Sequence, residues 1–209
     1  CVVDAGEHAV VIWSSTRNMF GVQREVARMF GYPLAAVDVR VPFVGGAYGS
    51  KSYARLEPIA VALSRLIGRP VKLVLSIDES FRVSAGHAVR VKMKSGVTQD
   101  GRLLARDIVV WVDTGAYADL GPLGFDVAQH FAYRAPGPYQ IPNLSIRAAR
   151  VYTNKVPGSA LRGYGAQNVA WAYESHMDQI AAKLGMDPVE LRRRNLLDKG
   201  APPYPGRLP

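Results

Sequence analysis

Two glycine-rich segments, each set between a strand-like run and a helix-like run, constrain this chain more than any other feature of its sequence. The first, Gly45-Gly46-Ala47-Tyr48-Gly49-Ser50-Lys51, follows the alternating run Val37 to Val41. It precedes the helical pattern of Leu56 to Ile67, which Gly68 and Pro70 close. The second, Ser159 to Asn168, lies between Ser145 to Tyr152 and the apolar periodicity of Val169 to Leu184. Glycines at such junctions let backbone N–H groups turn toward a common point, and the helix behind them favours negative charge there. The first segment is one residue away from a phosphate-binding P-loop, because Ser50 stands where that pattern requires glycine; no carboxylate-ended strand follows to hold magnesium. A tight turn packed on the next helix and a backbone cradle for another bound group both fit it. In the second, Gly163 and Gly165 frame Tyr164 in a constrained loop that presents the ring to a pocket. A plain connection with Arg162 in a surface salt bridge fits that segment too.

The rest of the chain reads as mixed α and β. His8 to Ser14 is strand-like, and Thr16 or Asn18 opens a helix with apolar Met19, Val22, Val26, Met29 and Phe30, ended by Gly31 and Pro33. Val71 to Ser76 predicts a strand, and Asp78-Glu79-Ser80 a short helical turn. Val89 to Val97 and Leu103 to Val112 form a hairpin about Gln99-Asp100-Gly101. Leu120 to Pro142, with Gly or Pro at 121, 122, 124, 136, 137 and 138, reads as a long functional loop carrying one short helix. Gly185 closes the long helix, and Asp187-Pro188 starts a last one. An α+β domain in two lobes is the consistent architecture, with mixed sheets, a strand–glycine-loop–helix unit and a long C-terminal helix.

Several chemistries are excluded by what is missing. With Cys1 the single cysteine, a thiol-rich zinc or iron–sulfur centre has no ligands in this chain. His8, His87, His130 and His176 show no metal-ligand spacing, and no Gly-x-Ser-x-Gly elbow occurs, so zinc hydrolase and serine hydrolase readings lack support. Among the histidines, His130 falls in the irregular segment and is the one expected to face a ligand. The excess of 26 Lys and Arg over 17 Asp and Glu favours anionic partners. Its one dense cluster, Arg192-Arg193-Arg194, sits in the last turn of a helix, where a solvated face explains it without nucleic acid. No apolar run reaches the roughly 18–20 residues of a membrane span, so a soluble, cytoplasmic protein is expected. The chain starts with Cys and stops in a Pro-rich run, and is read as a piece of something longer.

Taken in order, WSSTRNMFGVQREVARMFG from Trp13, VPFVGGAYGSK from Val41 and VYTNKVPGSALRGYGAQN from Val151 resemble the large subunit of the molybdenum hydroxylases, the xanthine dehydrogenase, aldehyde oxidase and carbon monoxide dehydrogenase family. The likeness is to its first molybdenum-cofactor-binding domain. GRPVKLVLSIDESF from Gly68 and LGMDPVELRRRNLL from Leu184 extend it over nearly all of residues 1–209, which makes the chain a partial first cofactor domain. The resemblance implies a molybdopterin cofactor, with the cytosine dinucleotide as one form open to it, whose metal is held by the pterin dithiolene and by no protein side chain. It also implies hydroxylation of an aldehyde or N-heteroaromatic carbon with water-derived oxygen, and iron–sulfur clusters and FAD on partner subunits or domains. Arg17, Gly46, Ala47, Tyr48, Gly49, Arg162 and Gly163 fall at its cofactor-binding positions. Ser52, His130 and Tyr164 fall at its substrate pocket.

The departures from the family carry information as well. Arg17 stands where many members have glutamine, so its guanidinium is open to pairing with the cofactor phosphate or a carboxylate. Ser52 replaces a substrate-binding glutamate and His130 lies near a substrate-orienting arginine of purine oxidisers, which argues against purine specificity. Gly163 stands at the copper-bound cysteine of carbon monoxide dehydrogenases, which excludes that bimetallic chemistry. Tyr164 matches a pocket phenylalanine and adds a hydroxyl. The family's general-base glutamate belongs to the second cofactor domain, beyond residue 209. The resemblance therefore implies that the chain alone is inactive and needs the C-terminal remainder of the large subunit together with iron–sulfur and flavin subunits. A non-catalytic, partner-binding module is the competing reading.

Overall fold

The structure, a computed structural model, describes residues 1–117 and 127–201. They divide into two compact units, residues 1–86 with 159–162, and residues 87–117 with 127–158 and 163–201.

The first unit is built on a four-stranded sheet of order β3-β2-β1-β4: β1 (Val2–Ala5), β2 (Val10–Trp13), β3 (Val37–Arg40) and β4 (Val71–Lys72). β1 runs antiparallel to β2 and β4, whereas β2 and β3 are parallel and so need a crossover, which α1 (Met19–Phe30) provides. Asn18 caps α1 by accepting from Gly21 N, and Gly31 ends it in a left-handed conformation. Strand alternation buries Val3, Val10, Ile12, Val37 and Val39, against which α1 sets Val22 and Val26 and α2 (Glu57–Ile67) sets Ala60 and Val61. Each buried valine or isoleucine contributes roughly 1.5–3 kcal/mol of burial, which is what holds the crossover on the sheet. Met19 and Met29, expected on the same face, are exposed. Only Val71–Lys72 of the expected strand Val71 to Ser76 pairs. Leu73 N still donates to Cys1 O, but Ser76 is already the N-cap of α3 (Ile77–Val83) in a reciprocal capping box with Glu79, and that turn draws the chain off the sheet. β5 (Ala85–Gly86) ends this stretch.

The second unit contains a three-stranded sheet, β6 (Val89–Val97), β7 (Leu103–Gly115) and β8 (Asn143–Tyr152), in that order. β6 and β7 form the expected hairpin; β7 and β8 are parallel. The crossover between them contains α4 (Val127–Arg134), the short helix expected inside Leu120 to Pro142. Positions 120–126 of that expected loop lie outside the described residues. Ile108, Val110 and Val112 of β7 pack on Val127 and Phe131 of α4 and on Val169 of α5 (Ala166–Leu184). β9 (Gly158–Ser159) precedes the second glycine loop. α5 begins at Ala166, three residues before the apolar periodicity that predicts it, because Gly165 already turns the chain into the helix. In α6 (Pro188–Asn195), Asp187 caps as expected. Arg193 and Arg194 keep the solvated face assigned to the cluster, whereas Arg192 departs from it: it is half-buried and pairs with Glu174 at 2.7 Å and Asp178 at 2.8 Å. Among the described residues no helix is long and apolar enough to cross a membrane, and no group of three His, Cys, Asp or Glu is placed to hold a metal ion.

Candidate functional site

In the first unit, the chain leaves β3, crosses an irregular stretch and reaches a 3-10 turn at Ser50–Ser52 ahead of α2. Ala47 O accepts from both Ser50 N (2.9 Å) and Ser50 Oγ (3.0 Å). Tyr48 O accepts from Arg162 N at 2.8 Å, so the backbone of the second glycine segment is bonded to that of the first. Arg162 also lies over the Tyr48 ring, 5.8 Å from its centroid. A Cβ on Gly49 would stand 2.0 Å from Ala160 O, which shows how closely the two backbones approach and why glycine occupies the position. Ala47 O and Tyr48 O are thus engaged. The N–H groups of Gly46, Ala47, Tyr48 and Gly49 have no acceptor among the described residues. They end a run of loop amides from Phe43 without an acceptor among the described residues, and free donors on a glycine-rich loop ahead of a helix are available to electronegative oxygen.

Arg17 N donates to Lys51 O at 3.0 Å, which brings the main chain after β2 to the same loop. The Arg17 side chain is exposed and makes no hydrogen bond or ion pair among the described residues. Ser52 is buried at 1% exposure, and its carbonyl accepts from Asn18 Nδ2 at 3.2 Å. It lines a polar cavity of about 440 Å³ with Arg24, Glu25, Arg28 and Arg55. Glu57, the buried acid nearest the loop in sequence, accepts from Ser14 Oγ at 2.5 Å and from Arg55 N at 3.1 Å and is occupied structurally.

In the second unit, His130 lies in α4 and not in irregular chain, and its ring meets that of Tyr164 edge-on with centroids 4.8 Å apart. Two of the three expected pocket residues are therefore neighbours within one unit. Arg134, one helical turn beyond His130, was not anticipated from the sequence. Its Nη1 donates to Tyr164 O at 2.9 Å and lies 3.3 Å from both His130 O and His130 Nδ1. The i,i+4 spacing of His130 and Arg134 on an expected helix was the available signal. Gly163 and Gly165 both have φ of +91°, and a Cβ on Gly165 would press to 2.6 Å from the Phe131 ring. Tyr133, Arg134, Gln167, Val169 and Tyr173 line a separate cavity of about 630 Å³.

Among the described residues, two non-glycine residues have positive φ: Tyr48 at 46° and Tyr164 at 43°. For a bulky side chain this is a strained backbone, tolerated where the surroundings over-determine it, and such strain gathers at functional sites. Both lie at positions assigned from the family resemblance, one in each glycine segment.

Residues 1–196 match the family described as the molybdopterin cofactor-binding domain, and the chain belongs to that family. It is 35% identical over 196 residues to the nicotinate dehydrogenase large molybdopterin subunit of Eubacterium barkeri, covering 93% of this chain and 45% of that one. It is 36% identical over 201 residues to the xanthine dehydrogenase molybdenum-binding subunit of Escherichia coli, covering 95% and 26%. Among solved structures, quinoline 2-oxidoreductase from Pseudomonas putida 86 matches with a TM-score of 0.83 and 32% identity, over 97% of this chain and 26% of that one. Aldehyde oxidoreductase from Desulfovibrio gigas matches with a TM-score of 0.88 and 29% identity, over 100% and 23%. The α+β fold is that of the molybdenum hydroxylases, and the relatives are oxidoreductases of the xanthine dehydrogenase and aldehyde oxidase family. The chain spans less than half the length of each of these relatives.

Proposed function

We propose that the chain is part of the large subunit of a molybdenum hydroxylase, where it supplies the first portion of the cofactor site for hydroxylation of an aldehyde or N-heteroaromatic substrate with water-derived oxygen. The observation that carries this reading is the row of four amide donors at Gly46, Ala47, Tyr48 and Gly49, which fits a ligand rich in electronegative oxygen. A bound pterin-held molybdenum would supply the two-electron redox chemistry, with iron–sulfur and FAD centres expected on partner subunits or domains. The donor row binds and orients the cofactor, and the Arg162 N to Tyr48 O bond fixes it beforehand, so that little reorganisation remains. Arg17, with its exposed guanidinium, suits the phosphate of the cofactor, in the cytosine dinucleotide form or the simpler one.

Tyr164, held against His130, offers a ring face for stacking a planar substrate and a hydroxyl at its tip. Ser52, in place of an acidic side chain, presents no carboxylate to pair with a purine. The proton-accepting glutamate comes from the remainder of the large subunit, so the chain alone has no turnover. The relatives' names, nicotinate dehydrogenase, quinoline 2-oxidoreductase and aldehyde oxidoreductase, support both substrate classes. The test is to purify the complete native enzyme, determine molybdenum and pterin content with the identity of co-purifying chains, and screen aldehydes and N-heteroaromatic compounds. Near-stoichiometric molybdopterin with turnover of one of these classes is expected; a complete enzyme without molybdopterin overturns the reading.

A further inference from the structure

We propose that Lys51 is a positioning residue whose ammonium group, acting with Ser15, staples the irregular loop of residues 43–49 to the end of β2 and so fixes the donor row before a ligand arrives. The inference rests on the cofactor reading of that row. The loop has no strand partner, so its shape depends on individual contacts. At its far end these are the bonds from Ser50 N to Ala47 O and from Arg162 N to Tyr48 O. At its near end, the hydrogen bonds to residues 43–46 come from two side chains. Ser15 Oγ lies 3.0 Å from Phe43 O and 2.9 Å from Val44 O, and Lys51 Nζ donates to Val44 O and, at 2.9 Å, to Ser15 Oγ.

The donor inventory closes. A lysine ammonium has three protons and accepts nothing, so it donates to Ser15 Oγ and leaves the single Ser15 proton for a loop carbonyl. The main chain of Lys51 is anchored independently, since Lys51 O accepts from Arg17 N at 3.0 Å and from Thr16 Oγ1 at 3.3 Å. Its ammonium therefore works from a fixed base. No carboxylate pairs with Lys51 among the described residues, so the flexible stem is ordered for the loop carbonyls and not for an ion pair. Charge-assisted bonds of this kind are stronger than neutral ones, and they hold carbonyls of a loop whose N–H groups from Phe43 to Gly49 have no acceptor among the described residues. The positive charge beside that row also favours an anionic ligand.

The test compares Lys51→Met, Lys51→Arg and Ser15→Ala in the complete enzyme by amide hydrogen exchange, molybdenum content, and kcat against KM per bound molybdenum. In Lys51→Met, exchange of the Ser50 and Arg162 amides, which donate to the loop carbonyls Ala47 O and Tyr48 O, rises roughly tenfold while β2 and α2 keep their protection. Molybdenum content falls, and kcat of the loaded fraction drops by up to about 100-fold, as expected of misplaced groups, while KM stays within about twofold. Lys51→Arg, which keeps the charge and donors, recovers most of the loss, and Ser15→Ala lies between. Should Lys51→Met not fold, Ser15→Ala decides by the same readouts. Unchanged exchange of the Ser50 and Arg162 amides together with unchanged kcat per molybdenum overturns the proposal. A wild-type enzyme without molybdopterin overturns the cofactor reading instead, and the exchange comparison then still decides the staple.

Discussion

Replacing Gly49 by alanine adds one methyl group where two backbones meet. The new Cβ would stand 2.0 Å from Ala160 O, 2.5 Å from the Ala160 carbonyl carbon and 3.0 Å from Leu161 N, all main-chain atoms that cannot rotate aside. The residue also sits at φ +114°, where an L side chain is strained. Strain of this kind costs about 1–3 kcal/mol and the overlap a further 1–3 kcal/mol or so, for a total of about 2–6 kcal/mol. Gly31 provides the control: its φ is +72°, yet nothing lies within 4 Å of its Cβ position. Gly31→Ala therefore carries the left-handed penalty alone, about 1–2 kcal/mol. With a urea slope near 2 kcal/mol per molar, the unfolding midpoint falls by about 1–3 M for Gly49→Ala and about 0.5–1 M for Gly31→Ala. The excess over Gly31→Ala reports the collision with Ala160 together with the greater strain of φ +114°. Equal midpoint shifts for the two variants would refute the argument that the loops are pressed together at this point.

Two further outcomes follow from the second unit. Burial first, and then the nearby Arg106 charge, lower the pKa of His176, whose Nε2 lies 3.0 Å from Ser95 Oγ. The unfolded chain therefore takes up the proton first. Stability is fully present above the ordinary histidine value of about 6.5 and declines as pH falls below it, so His176→Gln flattens the stability profile on the acid side of about pH 6.5. A profile with the same slope in the variant contradicts that assignment. Arg192→Met removes the bonds from α6 to Glu174 and Asp178 on α5 while the Glu174 carboxylate still accepts from Tyr139. A loss of about 1–3 kcal/mol is expected in urea unfolding, and no measurable loss would show that the cluster is indeed a solvated face.

What was legible in the sequence was whatever repeats or punctuates. Asn18 and Gly31, Gly68, Gly185 and Asp187 cap helices where the pattern says they do, because cap chemistry acts over three or four residues of one segment. The Gln99-Asp100-Gly101 hairpin is local in the same sense. β1 went unassigned: Val2–Ala5 is four residues long, and its strand character comes from its partners β2 and β4. Leucine and valine at 73–75 suggest a longer β4, but the Ser76–Glu79 box wins. At the candidate site, the glycine segments announce themselves by composition. The side chains that shape them do not: Lys51 to Val44 O, Ser15 to Phe43 O and Arg134 to Tyr164 O are single contacts to carbonyls, which leave no periodic trace. Arg192 was misread for the same reason, since the acids it meets lie 14 and 18 residues away on another helix.

The strained tyrosines show how those contacts and the glycines work together. A left-handed backbone at Tyr48 and at Tyr164 costs on the order of 1–3 kcal/mol at each position and persists only if something opposes relaxation. The opposing contact is of the same kind in both units. Tyr48 O is held by Arg162 N at 2.8 Å and Tyr164 O by Arg134 Nη1 at 2.9 Å, so each strained peptide is gripped at its carbonyl by a donor from outside its own turn. Flanking glycines at 49, 163 and 165, each with strongly positive φ, let the chain enter and leave these conformations. A segment selected only to connect a strand to a helix would need neither the strain nor the grip. Bulky aromatics held in this way fix the direction of the neighbouring amides and of the ring in each unit by itself, and such fixed groups are what pre-organised binding requires.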